Sequence, residues 1–205
     1  LAQLPLIQEK VVDILRSSPA DLVHAEVYLC MRVFLCRFAS QHLTGFWPII
    51  LTEMVRILAQ AKVDLPADKS DRLQLVFSVV KLADFLITLQ TDDFQIHQWL
   101  LITDTPDATN PASSYMADSL LDCLAKFVSE CQRELVFDAN DSLERAQQRR
   151  PLLQMSSVAT ISTLQPFFAT ASRAFYQCDF HATLDWDNIN ACLLHDLFEP
   201  IHTNT

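Results

Sequence analysis

The sequence predicts an all-α fold, and three observations favour it. Glycine occurs once in 205 residues, which disfavours the hairpins and phosphate-binding loops that need positive φ. Half of the residues are hydrophobic, and they recur at helical spacing. No stretch is convincing as a strand. We expect roughly nine to ten helices in one domain over 1–205, arranged as a HEAT- or armadillo-like α-solenoid or as a compact helical array.

The N-terminal half predicts four helices with short breaks between them. Pro5 begins the first, and Ser18, followed by Pro19 and Asp21, is the predicted N-cap of the second. The predicted ranges are 5–17, 20–38, 46–62 and 70–90. The second and fourth helices are apolar on nearly every face, so we expect them to be buried between layers of neighbours.

The C-terminal half continues the helical pattern around one clear loop, TDTPDATNPASS at 103–114. A helix starts at Asp92, and another is expected to bend or restart at Pro166. The remaining predicted ranges are 114–136, a polar helix from 141 to about 149, 156–176 and 185–198.

The single glycine lies in HLTGFWPIILTEM, at 42–54. We interpret Gly45 as a positive-φ residue that ends the turn after the second helix. Pro48 fits the first turn of the next helix, where its missing N–H costs nothing. Phe46 and Trp47 are expected to pack this corner into the core, with partner contact as the alternative.

Charge excludes some classes of function. The net charge is −10, and no Lys or Arg occurs between Lys81 and Lys126 or after Arg173. An acidic surface repels phosphate backbones and anionic lipid. The six cysteines have no CxxC spacing and sit mostly among apolar neighbours, as reduced thiols of a cytosolic protein do. The chain opens on Leu1 without a methionine, so we expect it to be a fragment of a longer protein.

No catalytic motif is present, and we expect no enzyme activity and no cofactor. One spacing offers an alternative: Cys178, His181, Cys192 and His195 form C-x2-H-x10-C-x2-H, a ligand set for tetrahedral zinc or a Cys/His enzyme. Against it, the last two residues lie one turn apart on an apolar helix. A core cysteine beside a boundary histidine is ordinary there, and we expect no metal.

The local basic cluster consists of Arg145, Arg149 and Arg150 on a glutamine-rich helix. It could dock an acidic partner segment or, as a further alternative, an anionic lipid headgroup. Three arginines are too few for stable membrane attachment alone.

Two segments resemble a known family. MRVFLCRFASQHLTGFWPIILTEMVRIL (31–58) and LADFLITLQTDDFQIHQWLLITDT (82–105) are similar to the C-terminal region of Dopey proteins. Neither segment is a catalytic motif, so the resemblance supplies a family and no active-site residues.

The resemblance implies a peripheral scaffold on the cytosolic face of Golgi and endosome membranes. Its implied partners are a large HEAT-repeat protein related to Arf exchange factors, an aminophospholipid flippase and the kinesin cargo machinery. We therefore expect a non-enzymatic helical module of a trafficking scaffold that binds proteins, self-association included, and contacts membrane only indirectly.

Overall fold

The computed structural model describes residues 3–89, 91–97, 101, 120–133, 152–169, 171 and 185–198. Its α-helices include α1 (Leu4–Ser17), α2 (Asp21–Arg37), α3 (Trp47–Val63), α4 (Asp71–Leu89), α5 (Asp92–His97), α6 (Leu120–Arg133) and α7 (Trp186–Phe198), and residues 165–169 are also helical. Short 3-10 helices cover Ser40–His42, Leu152–Gln154 and Ile161–Leu164. The all-α prediction is confirmed, since none of these residues belongs to a strand. The solenoid arrangement stays a prediction.

Helix α4 is the centre of the fold. Every residue from Leu73 to Ile87 is buried, as the all-round apolar pattern predicted. Helix α2 lies along α4, α3 contacts both α4 and α6, and α1 and α7 each contact α2. Burial of α2 on every face was wrong, because Val23, Glu26 and Cys30 face solvent.

Residues 152–159, a 3-10 turn followed by non-helical backbone, run antiparallel to α4 and are called the strap below. Along α4 from its C-terminal end, the Asp84 carboxylate accepts from Leu152 N at 3.1 Å, and Lys81 Nζ donates to Met155 O at 2.8 Å. Further back, Gln74 Nε2 donates to Val158 O at 2.8 Å. Polar side chains of a buried helix thus supply the hydrogen bonds that the strap's backbone needs.

Two local predictions fail, and the strap explains the first of them. A helix from 156 was wrong: residues 155–160 are non-helical, since the Met155 and Val158 carbonyls bond to α4 instead of to a following turn. The N-cap at Ser18 was wrong as well, because α2 begins at Asp21. Ser18 ends α1, its backbone N–H donating to Ile14 O at 3.0 Å.

The corner before α3 contains Gly45, and here the predicted positive φ was wrong, since the chain's single glycine does not have one. Glycine is needed for space instead. A Cβ at Gly45 would lie 2.7 Å from Gln8 Nε2, and that same amide donates to Gly45 O at 2.7 Å. Beside it, Phe46 and Trp47 are 0% and 2% exposed, and Pro48 lies in the first turn of α3.

A Gly45→Ala substitution is expected to cost about 0.5–1.5 kcal/mol in the free energy of unfolding, because the new methyl group displaces the Gln8 amide and breaks its hydrogen bond. In a Gln8→Ala background the same change should be neutral or stabilise by about 0.4–1 kcal/mol, since alanine restricts the unfolded chain. Urea denaturation of the double-mutant cycle measures both. Equal losses in the two backgrounds would contradict this role of Gly45.

Candidate functional site

Three charged side chains meet in the interior, each from a different helix. Arg32 of α2 and Lys81 of α4 are 3% and 2% exposed. Asp196 of α7, whose side chain is 8% exposed, accepts from Arg32 Nη1 at 2.8 Å and from Lys81 Nζ at 2.5 Å through the same oxygen, Oδ2. We call these residues the buried triad. One carboxylate therefore joins α2, α4 and α7.

The Lys81 ammonium is fully engaged at this junction. Besides Asp196, it donates to Met155 O of the strap, and its Nζ lies 5.2 Å from the centroid of the Phe77 ring. An ammonium group has three N–H donors and no acceptor. Two oxygens and an aromatic face match that number, so the lysine connects the strap to the triad.

Burial and charge change the acidity of the two cations. Burial lowers the pKa of Lys81 from 10.5 to about 8, the charge of Arg32 acts in the same direction, and Asp196 opposes both. Burial also lowers the pKa of Arg32, again against Asp196. Burial of Arg32 and Lys81 costs desolvation free energy, and their attraction to the single Asp196 carboxylate has to offset that cost for both cations.

The buried side of α7, which also carries Asp196, packs against α2 and α4. Ile189 and Leu193 form a small core with Leu29 of α2 and Phe85 of α4. At the start of α7, Asp185 Oδ1 accepts from Asn188 N at 3.0 Å, which caps the helix. Helix α7 is thus fixed by apolar burial, by an N-cap and by a buried carboxylate.

A second side of α7, adjacent to the buried one, carries exposed apolar side chains. Trp186 and Leu197 are 45% exposed, Leu194 is 50% exposed and Phe198 is 79% exposed. Across the described residues, the other large apolar side chains that are exposed are Leu6 and Val23 and, on α3, Val63, so the concentration on α7 is marked. We call these four side chains the outer face of α7. A concentration of exposed large apolar side chains on one helix is typical of a protein-binding site.

Two cavities among the described residues differ in size and in lining. The partly open cavity at the triad has a volume of about 30 Å³, which is room for one water molecule. A larger depression, about 990 Å³, is an open groove between α3 and α4. Its cations are paired within the fold, Arg56 with Glu53 and Arg72 with Asp21.

The zinc alternative is only partly visible. Cys192 and His195 lie one turn apart on α7, and Cys192 Sγ donates to Asn188 Oδ1 at 3.9 Å. Cys178 and His181 lie outside the described residues. Within the described ranges, no three His, Cys, Asp or Glu side chains converge as metal ligands would.

The basic cluster Arg145, Arg149 and Arg150 also lies outside the described residues, so its role in partner binding stays a prediction. None of the described helices is long and apolar enough to span a bilayer.

Helix α2 contains two cysteines, which we expected to be buried with the rest of that helix. Cys36 is half-buried, whereas Cys30 is exposed, so its expected burial was wrong. Partial burial nonetheless raises the pKa of both thiols, which keeps them protonated and poorly nucleophilic at neutral pH.

Sequence reasoning missed the buried triad. The signal was present in part: Gln74, Ser78, Lys81 and Asp84 interrupt an apolar helix at spacings of four, three and three residues, which places them along one side of α4. Such a stripe indicates buried polar contacts. It does not identify Asp196, which lies 115 residues from Lys81 in sequence.

Comparison with known proteins gives one consistent result. The family model "DOP1 C-terminal" matches residues 1–180. Protein DOP1B of Mus musculus is 29% identical over 206 residues, covering 84% of this chain and 9% of the mouse protein.

Two further relatives support the same family. Protein dop1 of Emericella nidulans is 31% identical, with 60% of this chain and 7% of that protein covered. Protein pad-1 of Caenorhabditis elegans is 30% identical, with 62% and 6% covered. The chain therefore spans less than a tenth of the length of these relatives, and no solved structure matches it.

An Asp196→Asn substitution is expected to cost about 3–5 kcal/mol in the free energy of unfolding, because it leaves two buried cations without their carboxylate. Urea denaturation measures the loss, and hydrogen exchange over α7 shows whether this helix detaches first. The matched control is Asp187→Asn on the exposed side of the same helix, where we expect a change within about 0.5 kcal/mol. A loss below 1 kcal/mol for Asp196→Asn would contradict the anchoring role.

Stability should depend on pH through Lys81. The folded pKa is about 8 and the ordinary value is 10.5, so between these values the unfolded chain holds a proton that the folded chain has released. Stability therefore rises with pH across this window, at most by about 1.4 kcal/mol per pH unit. Cys30 and Cys36, whose folded pKa values are raised, oppose this from about pH 9.

The difference between the wild type and Lys81→Met isolates the lysine, because the cysteines are common to both. We expect the stability of the wild type relative to Lys81→Met to increase from pH 8 to pH 10 in urea titrations. A difference that is constant or decreases over this range would contradict the lowered pKa.

Proposed function

This chain belongs to the Dopey (DOP1) family, as part of the C-terminal region that the family model describes, and on that premise we propose that it is a non-enzymatic helical module that binds other proteins.

The outer face of α7 is the observation that carries this proposal. A 13-residue helix presents four large apolar side chains to solvent, and Phe198 alone is 79% exposed. Exposed aromatic and aliphatic groups of this size favour association, since they gain free energy when a partner covers them. The anchors beneath α7 hold that face in place.

The charged interior supports the same proposal. Arg32, Lys81 and Asp196 are nearly inaccessible and are paired with one another. Their contacts join helices, and none of the three is positioned to reach a substrate in solvent. In the described part of the chain, the conspicuous polar groups thus serve architecture.

We extend the proposal to the cellular setting that the family resemblance implies. The module would belong to a large scaffold at the cytosolic face of Golgi and endosome membranes. There it would contribute to contact with a large HEAT-repeat protein related to Arf exchange factors, or with flippase or kinesin cargo machinery. Membrane contact would be indirect, because the chain carries a net charge of −10 and anionic lipid repels it.

The proposed function is tested by affinity capture of Golgi and endosome proteins with the 205-residue chain. We expect such proteins to be enriched, and the double substitution Leu194→Ser/Leu197→Ser to lower their recovery about tenfold, because it removes apolar area from the outer face. Quantitative mass spectrometry provides the measurement. Val63→Ser, an equally polar change at a side chain that is 84% exposed on α3, is the control.

A second arm addresses the basic cluster. If Arg149→Glu/Arg150→Glu abolishes capture and the α7 substitutions do not, the interface lies on the predicted polar helix and not on α7. If no trafficking protein is enriched over the bead control, the protein-interaction function is wrong for this chain.

A further inference from the structure

We propose that the outer face of α7 binds a basic amphipathic helix of a partner protein. The inference rests on the function proposed above and adds the chemistry of the partner.

The shape of the face fits one helix. At 100° per residue, Trp186, Leu197, Leu194 and Phe198 fall within an arc of about 120° on α7. From Trp186 to Phe198 the stripe is about 18 Å long, at about 1.5 Å per residue. A stripe of this width and length is covered by about three turns of a second helix, which presents apolar side chains at i, i+3, i+4 and i+7.

The face is supported before a partner arrives. Beside it, Ile189 and Leu193 pack in the core, and Asp196 is fixed by two cations. Within the arc, Asn190 Oδ1 accepts from Arg37 Nη2 at 3.0 Å, which ties this side of α7 to α2. Because α7 is already held in place, little conformational entropy is lost when the face is covered.

Charge determines the kind of helix. Trp186 stands between Asp185 and Asp187, and all three side chains are exposed. At 100° per residue, Asp187 falls inside the arc of the outer face, whereas Asp185 lies outside it and caps the helix. An aromatic ring and an exposed carboxylate on one face favour a Lys or Arg side chain, through cation–π and ionic contacts. The partner helix therefore needs a basic residue at the end that covers Trp186.

The same charge argument disfavours two other occupants. Each copy of the chain carries a net charge of −10, so two copies repel each other as they approach. A membrane that contains anionic lipid is repelled for the same reason. A basic helical segment of another protein gains both apolar burial and charge complementarity.

Two designed helical peptides test the proposal with the 205-residue chain. Both carry leucine at i, i+3, i+4 and i+7, and the remaining positions are lysine in one peptide and glutamate in the other. Titration calorimetry and tryptophan fluorescence measure binding, and Trp186→Phe identifies the part of the fluorescence signal that comes from the face. Circular dichroism melts confirm that each variant is folded.

The lysine peptide should bind, with an affinity that falls as salt is added, and the glutamate peptide should bind at least tenfold more weakly. Leu194→Ser/Leu197→Ser should weaken binding of the lysine peptide about tenfold or more, and Asp187→Lys should weaken it several-fold. Val63→Ser should leave it unchanged. Asp185 is not altered, because its carboxylate caps α7.

Several results would overturn the inference. They are equal binding of the two peptides, unchanged binding by the α7 variants, binding to phosphatidylserine vesicles that requires the outer face, or a dimer in sedimentation equilibrium that Leu194→Ser/Leu197→Ser dissociates. If affinity capture of trafficking proteins succeeds while the peptide results fail, the proposed function stands and the partner chemistry is wrong. If the peptide results hold and capture fails, the face has the predicted chemistry and the proposed function is wrong.

Discussion

One carboxylate oxygen connects the parts of this structure. Asp196 Oδ2 accepts from cations on two other helices, and one of those cations also holds the strap. A charge removed from water must be paired, or it destabilises the fold by several kcal/mol. With Lys81 in the middle of a fully buried helix, the chain has few ways to satisfy it. The position of α7 follows from that requirement, because α7 supplies the missing charge.

The polar side chains of α4 add direction to an apolar core. Burial of leucine and phenylalanine favours compaction but accepts many arrangements. Ser78 Oγ instead donates to Ala25 O of α2 at 2.8 Å, while Gln74, Lys81 and Asp84 bond to three separate points of the strap. Each of these hydrogen bonds requires a particular acceptor or donor at a particular distance and angle. The apolar positions of α4 therefore supply cohesion, and its polar positions determine which segment lies where.

The triad also links the family to the proposed interface. Arg32 and Lys81 lie in the part of the chain that the DOP1 C-terminal model matches, whereas α7 follows that match. The matched part thus contains two buried cations whose carboxylate comes from the helix beyond it. An apolar face built on such an anchored helix is well suited to protein binding, because the anchor is internal and the face is left for a partner.

The sequence by itself determined the all-α class, the family resemblance and most helix positions. Helices α3, α4 and α7 begin and end within one or two residues of the predicted ranges, because periodicity and breakers such as Pro48 act over a few residues. The tertiary structure alone decided the features that depend on distant partners. Gly45 leaves room for the amide of a glutamine 37 residues away, and the backbone around Ser156 is non-helical because α4 binds the carbonyls of Met155 and Val158. Asp196 meets Arg32 across 164 residues. A charged residue in an apolar helix predicts that an oppositely charged partner exists. Only the packing of the whole chain determines which residue is that partner.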